Sequence, residues 1–186
     1  MDTVPYIFCD AVAEMLTKIR EISDQLEPVD NPGFRLWKTS IKSHASNRMY
    51  ISLSIFFDND QWSYSITNYN TQTQIIECIN FAELKQLKKQ YLRITIVQFL
   101  SDQRRRPESS NRQEIAEIIN YTSRLVNMSD LYIQNNNIEE GDMFDFLSYF
   151  KNVQFERIDV SGYKHSYEDL LKRQFQSDWL KYVDIS

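Results

Sequence analysis

Apolar residues keep a helical period at the start of this chain, switch to strict alternation, and then settle into a mixed rhythm that lasts to the end. Phe8, Val12, Met15, Leu16, Ile19, Ile22 and Leu26 recur every three or four positions, which puts them on one face of a helix that opens near Pro5. Pro28, Pro32 and Gly33 interrupt that period, because proline removes a backbone donor and glycine adds conformational freedom. A shorter helix follows, with Leu36, Trp37, Ile41 and Ala45 inward. From Met49 to Phe57 the period is two: Met49, Ile51, Leu53, Ile55 and Phe57 face one way, and Tyr50, Ser52, Ser54 and Phe56 the other. Asp58-Asn59-Asp60-Gln61 has turn chemistry, and Trp62, Tyr64 and Ile66 resume the alternation, so a hairpin is expected. Further strands are expected at 74–79 and 91–99, on either side of a short helix near 81–87.

The second half repeats one apolar phrase three times. It reads Met128-x-x-Leu131-x-Ile133, then Phe155-x-x-Ile158-x-Val160, then Leu180-x-x-Val183-x-Ile185, at steps of 27 (128 to 155) and 25 (155 to 180) residues. Helical periods lead into each copy, through Ile115, Ile118, Ile119, Thr122 and Leu125, through Met143, Phe144, Leu147 and Phe150, and through Tyr167, Leu170, Leu171 and Phe175. A helix between two such strands makes them parallel neighbours. Tyr91-x-x-Ile94-x-Ile96 reads as a degenerate earlier copy. With Asn136 three positions past Ile133, the phrase resembles the strand signature of leucine-rich repeats, whose period is roughly 20 to 29 residues. The expected fold is mixed α/β: a helical head of two helices over 1–46, a short antiparallel β region with a short helix over 47–100, and about three leucine-rich-repeat-like strand-helix units with parallel strands over 101–186. The last phrase shows no polar cap, which implies either a truncated architecture or an end covered by a partner.

Two regions carry a second resemblance. The opening Met1-Asp2-Thr3-Val4-Pro5-Tyr6-Ile7-Phe8-Cys9-Asp10-Ala11-Val12, Leu36-Trp37 with His44 and Arg48 after it, and the closing 171–180 stretch resemble an expanded group of nematode F-box-like proteins, which join a degenerate F-box-like segment to a repeat-like α/β region. In that family Leu-Pro stands where this chain has Val4-Pro5. The resemblance makes Phe8, Val12 and Leu16 the ridge of the first helix and Trp37 the late tryptophan, with Phe34-Arg35-Leu36 in place of the usual Cys/Val cluster. It implies docking to a Skp-type adaptor of a cullin ubiquitin ligase through Val4, Pro5, Phe8, Val12, Leu16 and Trp37, while the repeats select a substrate protein.

Composition narrows the function classes. The 186 residues are 42% hydrophobic and 25% charged, enough apolar material for a folded core, and the formal net charge of −5 opposes broad binding to nucleic acid or anionic membrane. No window has the roughly 18 apolar residues of a membrane span, and the N-terminus lacks the pattern of a secretory signal. Cys9 and Cys78 lie far apart in apolar contexts, with neither zinc nor disulfide spacing, so a reduced cytoplasmic or nuclear setting is expected. The two histidines, His44 and His165, are expected in surface or capping roles, and none of the three glycines lies in a phosphate-cradling loop. Arg104-Arg105-Arg106 reads as a solvated loop, the acidic residues around 139–145 as helix-dipole partners, and Tyr50, Trp62, Tyr64 and Tyr69 as cross-strand packing. The expected protein is a non-enzymatic, cofactor-free, metal-free intracellular interaction protein. The alternative is a solenoid without a ligase role that binds a protein partner or itself through the C-terminal strand edge at 180–185.

Overall fold

The computed structural model describes residue 12 and residues 32–70, 75–101, 108–134 and 137–186. Among them are five helices and one eight-stranded mixed sheet. A helix α1 (Pro32–Asn47) runs directly into the hairpin β1 (Met49–Asp58) and β2 (Gln61–Asn70). Asn59 and Asp60 turn that hairpin at φ of 49° and 60°, the left-handed pair that matches the twist of the strands. Then come β3 (Ile76–Ile79), α2 (Phe81–Gln86), β4 (Leu92–Leu100), β5 (Glu108–Ser110), α3 (Arg112–Ser123), β6 (Val126–Ile133), α4 (Glu140–Ser148), β7 (Phe155–Val160), α5 (Glu168–Phe175) and β8 (Tyr182–Ile185). The strand order is β3-β2-β1-β4-β6-β7-β8, with β5 also on β2. β1, β4, β6, β7 and β8 are parallel, so each new strand adds to the same side of its predecessor. Strands from before and after residue 100 share this one sheet.

Register explains the core. Across the sheet, Ile66, Leu53, Val97, Leu131, Ile158 and Val183 form one rung, and Tyr64, Ile55, Phe99, Ile133, Val160 and Ile185 the next. On that face all of them but Val183 and Ile185 join Leu84 of α2, Ile115, Ile118 and Ile119 of α3, Met143, Phe146 and Leu147 of α4, and Leu170 and Leu171 of α5 in one buried cluster. Burying such side chains drives the fold at about 25 cal/mol per Å² of apolar surface. Asn80 and Asn111 cap α2 and α3, each accepting from the backbone N–H three residues on.

The phrase has a physical reason for its spacing. Strict alternation would turn the first and second apolar positions of x-x spacing to opposite faces. In β7 an extra residue enters between Phe155 and Arg157, so Phe155 and Ile158 are both fully buried on the helical side. β4 does the same at Thr95, where pairing jumps from Ile51↔Ile94 to Ser52↔Ile96. The earlier copy is therefore Ile94-x-x-Val97-x-Phe99, not the expected 91–96 frame: Ile94, Val97 and Phe99 are all buried, while the bulge turns Ile96 to the other face.

Three further expectations are corrected. Phe144 is half exposed and Phe146 takes its place in the core, because the inward stripe of α4 runs through 143, 146 and 147. Phe175 is exposed and Gln174 is buried instead, its amide accepting from Phe155 N–H at 3.0 Å and donating to Val153 O at 2.6 Å. His44 is fully buried, packed edge-on against Tyr91 with ring centroids 5.1 Å apart, rather than on a helix surface.

Candidate interaction surface

The positions between the apolar letters of the phrase face away from the helices. They too fall into rungs: Thr67, Ser52, Ile96, Asp130, Arg157 and Tyr182 make one, and Ser65, Ser54, Gln98, Tyr132, Asp159 and Asp184 the next. Over β1, β2 and β4 the chemistry is hydroxyl and amide, with Gln98 Nε2 donating to Ser54 Oγ at 2.6 Å. There the face forms a cavity of about 680 Å³ lined by Ser52, Ser54, Ser65, Thr67 and Gln98 over an apolar rim that includes Phe56 and Leu100. Among the described residues none of the side chains lining it is charged, and they offer neutral hydrogen-bonding groups.

Over β6, β7 and β8 the same rungs become charged and aromatic. The Arg157 guanidinium lies 4.6 Å from the Tyr182 ring and 5.5 Å from the Tyr132 ring, with Asp159 at 3.6 Å. Tyr132 donates to Asp130 at 3.1 Å and Tyr182 to Asp184 at 3.3 Å. Burial raises the Tyr132 hydroxyl above the ordinary tyrosine value, and the Asp130 carboxylate adds to that. The Tyr132 phenol therefore stays a neutral donor near pH 7. Adjacent strands hold these groups in fixed register.

The other expected features spread out. Trp62 and Tyr64 are buried among the core residues, Trp62 against Phe57 and Phe146, and Tyr64 donating to Glu108 at 2.8 Å. Tyr50 and Tyr69 pair on the opposite face, so these four aromatics do not share one surface. Burial first, then the Glu108 hydrogen bond, pushes Tyr64 up to about 12. Asp142 and Asp145 both accept from Arg112, which ties α3 to α4. His165 is exposed and contacts Glu168 at 3.1 Å, far in the fold from buried His44. Val12 is helical and half-buried, and Trp37 is half-buried on α1; Val4, Pro5, Phe8 and Leu16 lie outside the described residues, as do Cys9, Arg104, Arg105, Arg106 and Asn136. Of the phrase positions, Leu131, Ile133, Phe155, Ile158 and Val160 are buried, Leu180 packs on the core, Val183 is half-buried and Ile185 exposed; Met128 lies in β6.

Among the described residues no group of three or more His, Cys, Asp or Glu is arranged to hold a metal ion, and no helix is long and apolar enough to cross a membrane. Comparison with protein-family models, curated proteins and solved structures returns no match.

The sequence pattern alone does not single out the polar and aromatic residues of this outer face. It singles out the apolar letters of the phrase, which build the core. The letters between them carry the chemistry of the outer face: Tyr182 is exposed, and Asp130, Tyr132, Arg157, Asp159 and Asp184 are half-buried. Their signal was present: in all three copies the middle letter of the final triplet (Tyr132, Asp159, Asp184) is a hydrogen-bonding residue between two apolar ones.

Proposed function

We propose that this chain is a non-enzymatic protein-binding protein whose last three strands belong to leucine-rich-repeat-like units and present their outer face to a partner protein. The observation that carries the reading is the Tyr132, Arg157 and Tyr182 sandwich, aligned by register on a face opposite the helices. Aromatic residues and arginine are the side chains that most often dominate the energy of protein interfaces. The test is affinity capture followed by mass spectrometry with wild type, Tyr132→Ser and the distant control Phe144→Ser. A protein retained by wild type and the control but lost with Tyr132→Ser is the expected result. Identical capture by all three folded forms would defeat the proposal.

A second reading rests on the N-terminal resemblance: the head, through Val4, Pro5, Phe8, Val12, Leu16 and Trp37, hooks a Skp-type adaptor while the sheet face selects a substrate. A half-buried Trp37 on a helix that feeds straight into β1 favours it, since such a helix would rigidly couple hook and sheet. Co-purification with the adaptor, lost in folded Pro5→Ala with Phe8→Ala, is expected; absence of adaptor from both forms would remove the ligase role.

A further inference from the structure

β8 forms one end of the sheet, and among the described residues no strand lies along its outer edge. On β8 itself Tyr182 and Ile185 are 47% and 45% exposed, and Trp179, three residues before the strand, is 46% exposed. Backbone groups on such an edge are a template for another strand. Which strand fits is decided by the faces. Val183 and Ile185 continue the inner rungs, and Tyr182 and Asp184 the outer ones.

We propose that β8 pairs antiparallel with β8 of a second copy, about a two-fold axis through Val183. Residues directly opposite in an antiparallel pair share a face, so only registers that match inner with inner and outer with outer are open. An axis at Asp184 sets two carboxylates opposite each other, which is repulsive. An axis at Tyr182 sets the two Tyr182 side chains against each other and Asp184 against Leu180, so no phenol meets a carboxylate across the pair, and Ile185 lies beyond it. The axis at Val183 places Val183 on Val183 and sets each Tyr182 against the other copy's Asp184. Arg157, already leaning over Tyr182 at 4.6 Å, then points along the rung toward that carboxylate. The surface is self-complementary, as a two-fold interface must be. This contact is separate from the partner-binding reading, although it shares Arg157 and Tyr182 with it.

A cysteine scan of full-length protein carrying Cys9→Ser and Cys78→Ser tests the axis. Ser186 N–H and C=O both bond back to the β7 side, so Val183 turns its N–H and C=O to the free edge and the Val183 pair is a hydrogen-bonded one, with Cα atoms about 5.5 Å apart and within disulfide reach. In a glutathione buffer Val183→Cys should form a covalent dimer, and Asp184→Cys and Ile185→Cys should stay monomeric. Light scattering on the unmodified chain should give the mass of two chains, falling to that of one with Asp184→Arg, which meets Arg157 across the interface. A wild-type monomer at millimolar concentration, or crosslinking that favours position 184, would overturn the proposal. Capture of a partner by the Asp184→Arg monomer would leave the partner-binding reading standing whichever way the dimer test falls.

Discussion

Gln174 shows how one side chain can replace a hydrophobe in a core. It is 3% exposed, and its amide serves the N–H of Phe155 and the carbonyl of Val153, which lead into β7. Gln174→Leu keeps the volume but leaves both backbone groups buried and unpaired, so urea denaturation should show a loss of about 1–3 kcal/mol. Phe146 and Phe144 give a sharper contrast. Phe146→Ala should cost about 3–5 kcal/mol, whereas Phe144→Ala at a half-exposed site should fall within roughly 0.5–1 kcal/mol of wild type. Glu168 gathers Lys172, Tyr163 and His165, which lower its carboxyl to about 2 from the ordinary 4.5. Because the folded value is depressed, its contribution is present above the ordinary carboxylate value and is lost as the pH falls from there to about 2. The carboxyl signal of Glu168 should titrate in that acid window by NMR, and the stability difference from Glu168→Gln, small for a solvent-exposed pair, should vanish at its lower end.

At the scale of elements, the N-cap of α3 offers a clean measurement. Asn111→Ala removes the acceptor for Glu114 N–H and should cost about 1 kcal/mol by chemical denaturation. Elements were also where the sequence was most readable. The hairpin, the strands and the helices before β6, β7 and β8 follow from period alone, since Ile115, Ile118, Ile119 and Thr122 admit only one inward face. Residue choice within a helix was less readable: the 3.6-residue period tolerates neighbours, so Phe144 and Phe146 compete, and only contact with Trp62 and Phe99 selects Phe146. Bulges were invisible as such, because an extra residue in a strand looks like a shift of frame. That is why the earliest copy was read three positions too soon. The exposed patch was hidden for another reason: it needs register between strands about 25 residues apart, which no local pattern contains.

Across the whole molecule, one sheet carries strands from residue 49 to residue 185, and its core cluster takes side chains from four helices. A core without a seam should unfold in a single cooperative transition, with tryptophan fluorescence and far-ultraviolet dichroism giving the same midpoint. Two separated transitions would instead mean that the region before residue 100 folds apart from the rest. The extra residues at Thr95 in β4 and between Phe155 and Arg157 in β7 also bear on how such a chain can change over time. Each strand counts its faces in twos, so a bulge is an odd number written into an even code. Deleting Thr95 alone would carry Ile94 to the outer face or carry Val97 and Phe99 there, exchanging the dry side of the strand for the wet one. Lengthening a loop leaves that count untouched. Lineages of this fold should therefore gain and lose residues freely between strands while keeping each bulge, since losing one would turn part of the protein inside out.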